Sequence, residues 1–281
     1  MELKELNARL MRAADYIRQA DALLITAGAG MSVNSGLPDF RGDNGFWRAF
    51  PPLEKLGKSF VQMATPDLFY KEPTLAWGFY GWRLNAYRNT IPHEGFRILK
   101  AWSEKMKYGA FVYTSNVDGQ FQKTGFDSER VVECHGSIHH LQCCLPCDKE
   151  IWSADKFFPS VNERNCTLIS PLPACPHCGG MVRPNILMFN DGKWLPHRMF
   201  DQEKRFSHWI REVENLVIIE LGAGTVIPTV RNFSQSYSEH FKAPLVRINT
   251  TNEQVKQAQD IGLPFGALEA LQQMDNLVSP E

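Results

Sequence analysis

The chain has no apolar run approaching the roughly eighteen residues of a membrane-spanning helix. It also has no excess of either charge: 30 Lys and Arg face 31 Asp and Glu, for a net charge of -1. The first absence argues against a membrane protein, the second against a global electrostatic grip on nucleic acid or anionic lipid. Internal repeats and low-complexity tracts are absent too. A signal peptide is not expected, because the opening MELKELNARLMRAADYIRQA carries Glu2 and Glu5 and spaces Leu6, Leu10, Ala14 and Ile17 along one face of an amphipathic helix. The expectation is a soluble, cytoplasmic protein. In that compartment thiols stay reduced, so seven cysteines do not make a disulfide framework. Cys143 with Cys147 and Cys175 with Cys178 form two tight groups, which points to metal instead.

What the chain does have is 43% apolar residues, eighteen Phe among them, enough for a sizeable core. Its 281 residues suit a main domain with a smaller insertion. Apolar runs predict strands at Ala22 to Thr26, Ala110 to Thr114, Val131 to Val132, Leu216 to Leu221 and Leu245 to Asn249, with Ile186 to Phe189 a weaker candidate. Helical spacing occupies 74–88, 93–106, 199–214, 226–240 and 266–273. Alternating strands and helices predict an α/β fold, a Rossmann-like, mostly parallel sheet with helices on both faces. Two segments break the alternation, one rich in aromatics and proline, the other in Cys and Pro. Read as insertions, they leave a discontinuous Rossmann-like domain of residues 1–45, 91–140 and 183–281. The helical insertion 46–90 and the cysteine-bearing module 141–182 then make the small domain.

In such a sheet ligands bind beyond the carboxyl ends of the strands. After the first predicted strand comes GAGMSVNSGLPDFRG, a partial dinucleotide fingerprint whose third glycine is replaced by Val33. The acidic residue that an ordinary dehydrogenase carries about twenty positions on, at the end of a second strand, has no counterpart in FPPLEKLGKSF. After the second strand, YTSNVDGQF places Thr114, Ser115, Asn116 and Asp118 at a strand end, and after the third, VVECHGSIHHLQC places His135 there. A histidine titrating near pH 6.5 suits general-base work. His139 and His140 read as structural.

GAGMSVNSGLPDFRG, TSNVDG, CHGS, the paired cysteines and VRPNILMFND, in this order, resemble the motifs of the sirtuins, NAD-dependent protein lysine deacylases, from about Asp21 to Asn249. The resemblance implies NAD as cofactor and acylated protein lysines as partners, with nicotinamide and O-acyl-ADP-ribose as products. It implies that His135 is the general base on a ribose hydroxyl and that Asn116 and Asp118 position the nicotinamide amide and a water. Gly28, Ala29, Gly30 and Ser32 would face the pyrophosphate. The loop ending in Asp39, Phe40 and Arg41 would close over NAD beside the nicotinamide ribose. Ser115, Gly222 and Thr225 fall in two further cofactor motifs. Asn249 matches an adenosine-ribose contact, although a cap for a helix beginning near Asn252 explains it equally well. Phe189 falls in the loop lining the peptide groove. The cysteines resemble the family's structural zinc site. Cys144 would give the commoner C-x2-C spacing with Cys147, and the resemblance favours Cys143.

Four departures bear on rate and peptide binding rather than on reaction type: Ser115 for Gln, Phe121 for His, Asn190 for Gly, and Ala223-Gly224 for the usual Thr-Ser. Tyr80 and Arg83 resemble the Tyr-x-x-Arg of sirtuins that remove succinyl or malonyl groups; a solvated helix face explains the pair equally well. Two other functions fit the same motifs. One is an NAD glycohydrolase or ADP-ribosyltransferase, the other a catalytically silent NAD-binding or zinc-module interaction protein, against which an intact His135 argues.

Overall fold

Strand alternation decides the layers of this protein, whose computed structural model describes residues 3–39 and 42–278. Helix α1 (Leu3–Gln19) leads into β1 (Ala22–Ala27) and two short 3-10 turns, Ala29–Met31 and Val33–Ser35. Then come α2 (Gly42–Ala49), α3 (Pro51–Lys55), α4 (Phe60–Met63), α5 (Leu68–Lys71), α6 (Pro73–Asn89) and α7 (Glu94–Glu104). β2 (Ala110–Thr114), α8 (Gln120–Lys123) and β3 (Val131–Glu133) precede five strands: β4 (Gly136–Cys143), β5 (Ile151–Ser153), β6 (Val161–Asn162), β7 (Thr167–Leu168) and β8 (Val182–Ile186). The chain continues through α9 (His197–Glu212), β9 (Leu216–Leu221), α10 (Thr229–Phe241), β10 (Leu245–Ile248), β11 (Ile261–Leu263) and α11 (Ala267–Val278).

Every residue of β1 is buried. Leu23, Ile25 and Ala27 enter one apolar cluster with residues of α1, α7 and α11, while Ala22 and Leu24 enter another with Phe206, Trp209 and Ile210 of α9 and Val230 of α10. β9 divides the same way, with Val217 and Ile219 on one face and Leu216 and Ile218 on the other. A sheet buried on both faces suits parallel pairing. Its order is β11-β10-β9-β1-β2-β3, parallel throughout. Counted in chain order this is the doubly wound arrangement, which reverses direction between β1 and β9.

Two expectations change. Ile186 to Phe189 is not a strand. The strand there is β8, antiparallel to β4 in a separate sheet of order β5-β4-β8. Its buried Arg183 and Asn185 hide it from a hydrophobicity reading: Arg183 pairs with Asp191, and Asn185 donates to Gln142 Oε1 at 2.9 Å. β11, three residues with a central glycine, gave no such signal and forms the far edge of the parallel sheet. A third core joins Phe46, Phe50, Trp77 and Phe79 of the helical segment to Ile138, Leu141 and Val182 of the antiparallel sheet. Among the described residues no helix is long and apolar enough to cross a membrane.

Candidate active site

The loops leaving β1 and β9 meet at the point where the sheet reverses. Gly28 N donates to Leu221 O at 2.9 Å and Gly30 N to Gly222 O at 3.1 Å. A Cβ on Gly30 would stand 2.7 Å from Gly222 Cα, so the two backbones touch only because both positions lack side chains. Ser32, 3% exposed, donates its hydroxyl to Asp118 Oδ2 at 2.7 Å. Asp118 Oδ1 accepts from Gln120 N at 3.0 Å. The Asn116 side-chain amide donates to Gly28 O at 3.0 Å, and Thr114 Oγ1 both donates to Ala27 O at 2.9 Å and accepts from Asn116 N at 3.0 Å. Two motifs distant in sequence are thus one hydrogen-bonded unit. Burial pushes the Asp118 carboxyl up from its ordinary value, against the hydrogen bonds from Ser32 and Gln120.

His135 stands at the end of β3 because the chain turns sharply at Gly136. There φ is 78°, and a Cβ would run into the Asn185 carbonyl. His135 O accepts from Leu187 N at 3.0 Å, while its Nε2 lies 3.4 Å from Thr229 Oγ1, at the first residue of α10. Burial lowers its pKa below the ordinary 6.5. The imidazole is therefore neutral at pH 7 and able to accept a proton.

The other expected residues are placed as follows. Ala29 is exposed on the first turn, Ser115 is half-buried with its N on Ala27 O at 3.1 Å, and Asp39 is half-buried; Phe40 and Arg41 lie outside the described residues. Gly222, with φ 60°, opens the β9 loop on which Thr225 is exposed. Asn249 is 3% exposed and ties loops together, donating to Ala223 O at 2.9 Å and accepting from Thr251 N at 3.2 Å and Asn252 N at 3.3 Å. No helix begins near Asn252, so the helix-cap reading of Asn249 is corrected to a loop clamp.

Tyr80 and Arg83 are 1% and 6% exposed, which rules out a solvated helix face. The Arg83 guanidinium lies 5.2, 5.5 and 5.4 Å from the ring centroids of Phe79, Tyr80 and Tyr87, and its Nε donates to Tyr87 OH at 3.0 Å. Phe189 N donates to Ala64 O at 2.9 Å, and its ring meets Phe60 edge-on. Asn190 has φ 54°, the left-handed conformation glycine would take, and Asn tolerates it better than most residues. Phe121 packs edge-on against Phe96 at 4.9 Å, in the core beneath the loop.

Two contacting residues escaped the sequence reading. Besides Thr229, His93 accepts from Gly95 N on Nδ1, bonds Met31 O through Nε2 at 2.8 Å and donates its main-chain N to Ser35 Oγ at 3.0 Å, pinning the base of the β1 loop. Neither carries a local motif. Only their position at a helix start beside the carboxyl ends of the strands could have suggested them.

The ligand atoms of Cys143, Cys147, Cys175 and Cys178 all lie within 4.8 Å of one another, with Cys143 and Cys178 sulfurs 3.7 Å apart and Cys147 and Cys175 sulfurs 3.6 Å apart. A zinc tetrahedron with Zn–S near 2.3 Å has edges of about 3.8 Å, so these thiols fit the ion. Cys144 is outside the cluster, buried in the third core.

The Sir2 family profile matches residues 28–227. The NAD-dependent protein deacylase of Aquifex aeolicus is 32% identical over 206 residues, 73% of this chain and 74% of its own. A probable bifunctional ADP-ribose hydrolase/ADP-ribosyltransferase of Fusarium oxysporum f. sp. cubense is 31% identical over 233 residues, 79% of this chain and 38% of its own. The crystal structure of a Sir2 homolog–NAD complex superposes with a TM-score of 0.70 at 23% identity, over 94% of this chain and 92% of its own, a likeness of fold. The matched span holds the glycine loop, the Asn116–Asp118 strand end, His135 and the four clustered cysteines, and the chain belongs to the Sir2 (sirtuin) family.

Proposed function

We propose that the protein is an NAD-dependent protein lysine deacylase, moving an acyl group from a protein lysine to ADP-ribose with release of nicotinamide. The observation that carries this reading is the convergence at the carboxyl end of one parallel sheet of the Ser32–Asn116–Asp118 unit and a half-buried His135. The touching glycines leave a side-chain-free wall where the backbone can approach a pyrophosphate. Bound there, NAD supplies the ribose carbon that nicotinamide leaves.

This chain's own residues orient and move the proton. His135 accepts it from a ribose hydroxyl; Asn116 and Asp118, locked by Gly28, Ser32 and Gln120, hold the amide end and a water. Asp39, Phe40, Arg41, Ser115, Gly222, Thr225 and Asn249 complete the cofactor site by motif match, and Tyr80, Arg83 and Phe189 the acyl-lysine side. Zinc on the four thiolates has a structural role, holding together the module 141–182, which with the helical insertion 46–90 makes the small domain.

A second reading, NAD glycohydrolase or ADP-ribosyltransferase, is favoured by the name of the Fusarium relative. Incubation with NAD and acetyl-, succinyl- and malonyl-lysine peptides separates them. Free lysine with O-acyl-ADP-ribose supports the deacylase. Free ADP-ribose or ADP-ribosylated protein, with the acyl peptide untouched, overturns it in favour of the second reading.

A further inference from the structure

A cavity of about 770 Å³ lies against the edge strand β3, walled by the end of α6, α8, β4 and α9. Asp118 borders it, but Ser32, Asn116, His135 and the touching glycines do not. Its size is that of a small-molecule site, roughly 300 to 1,000 Å³.

The wall carries Arg88, Lys123, Arg198 and Arg205 beside Asp118, Glu129, Glu133 and Asp201, and these charges are unevenly paired. Glu129 is paired with Arg205 at 3.0 Å, Glu133 with Arg198, and Asp201 with Lys204, which is not in the wall. Burial moves Asp118 toward its neutral form. Arg88 donates to the main-chain oxygens of Phe157 and Ala154, both at 2.7 Å, and lies 5.3 Å from the Phe158 ring centroid, with Asp155 near enough to act on its charge; Lys123 donates to the main-chain oxygens of Arg88, at 2.6 Å, and Thr90. Among the described residues neither cation makes an ion pair within 4 Å. Two more polar atoms, His140 Nδ1 and Arg198 Nη1, are buried with no hydrogen-bond partner among the described residues. Such orphans are rare.

The wall is also wired to the candidate active site. His139 Nε2 bonds the main-chain oxygen of Asp118 at 3.0 Å. Arg198 holds Glu133, two residues before His135.

We propose that this cavity binds a small anion, a carboxylate or phosphate compound distinct from NAD, whose occupancy tunes the reaction through Asp118 and Glu133. Arg198 Nη1 and His140 Nδ1, which have no accessible surface of their own, donate to it after their side chains turn into the space, and Arg88 and Lys123 supply positive charge. The tuning rests on the deacylase reading; the binding does not.

Calorimetric titration of the whole protein with citrate and with inorganic phosphate, each with and without saturating ADP-ribose, tests the binding. Saturable binding that survives ADP-ribose is expected, citrate and phosphate separating the two chemistries. Three variants locate it: His140→Phe; Arg198→Gln combined with Glu133→Gln, so that no carboxylate is stranded; and Lys123→Met, at an exposed position that does not threaten the fold. Each should weaken binding, by about tenfold where a donor is lost. If neither probe binds saturably, if ADP-ribose abolishes the binding, or if folded variants bind as tightly as the wild type, the site is not there. A citrate-dependent change in kcat/KM, lost in Lys123→Met, would confirm the tuning; binding without any such change would leave a site and overturn the coupling.

Discussion

A single imidazole and a single guanidinium carry the most exposed claims. His135→Ala should lower deacylation by about 10²- to 10⁴-fold, the usual contribution of a positioned base, while ADP-ribose still binds, because among the described residues the ring's hydrogen-bond contact is with Thr229 and not with the glycine loop. Undiminished turnover would refute the role. Since burial lowers the His135 pKa, the acid limb of kcat/KM should fall below the ordinary 6.5, with activity flat through pH 7. An inflection above 7 would contradict that environment. Arg83 sits among the rings of Phe79, Tyr80 and Tyr87. If it reads the acyl group, Arg83→Met should cost about 2 to 5 kcal/mol in kcat/KM for a succinyl-lysine peptide and little for an acetyl one. Equal losses on both peptides would make Arg83 a structural residue.

At the scale of elements, the turn from β3 into β4 is the point most sensitive to one atom. Gly136→Ala adds a Cβ at φ 78°, aimed at the Asn185 carbonyl of β8. The left-handed penalty alone is about 1 to 2 kcal/mol, and the backbone collision adds to it. We expect a fall in stability of at least ~2 kcal/mol by denaturant unfolding, with loss of activity as His135 is displaced. A neutral result would mean that β4 and β8 can part without cost. Gly119 and Gly179, with comparable φ but different surroundings, show why positive φ alone does not rank these sites: a Cβ at Gly119 meets only the His139 ring, and at Gly179 nothing within 4 Å.

Across the whole molecule, one zinc per chain is expected, held by Cys143, Cys147, Cys175 and Cys178. Chelation or Cys175→Ser should lower the Tm and loosen the core shared by the helical segment and the antiparallel sheet; full zinc retention in Cys175→Ser would dismiss the ligand set. Acid should destabilise the fold through its buried imidazoles. Burial lowers the pKa of His93, His135 and His140, the last to about 4. A group whose folded pKa is depressed stabilises the fold fully above its unfolded value, here 6.5, and loses that contribution as pH falls toward the folded value. Between pH 7 and 5 unfolding free energy should drop by the order of 1 to 3 kcal/mol, and a His140→Phe variant should drop less. The cost of burying Asp118 and Asp260 has the opposite sign and is relieved in acid, so it offsets part of the loss at lower pH.

Local order settled much of this protein in advance. The continuous apolar runs of β1, β2 and β9 suit strands buried on both faces, so their strand character and the α/β class were legible in the chain. So were the polar strand ends, because a parallel sheet puts its ligands there. Other features depend on contacts between distant segments. β8 carries Arg183 and Asn185 inward, which is tolerable only because Asp191 and Gln142 meet them. Spacing alone could not separate Cys143 from Cys144, since the difference lies in where two adjacent thiols point once β4 pairs with β8. Thr229 reaches His135 only across the sheet, from a helix start that no local pattern marks. Periodicity and turn chemistry act over a few residues and are written in the chain, whereas close approach, pairing of buried charge and the wall of a cavity come into being only when remote segments meet.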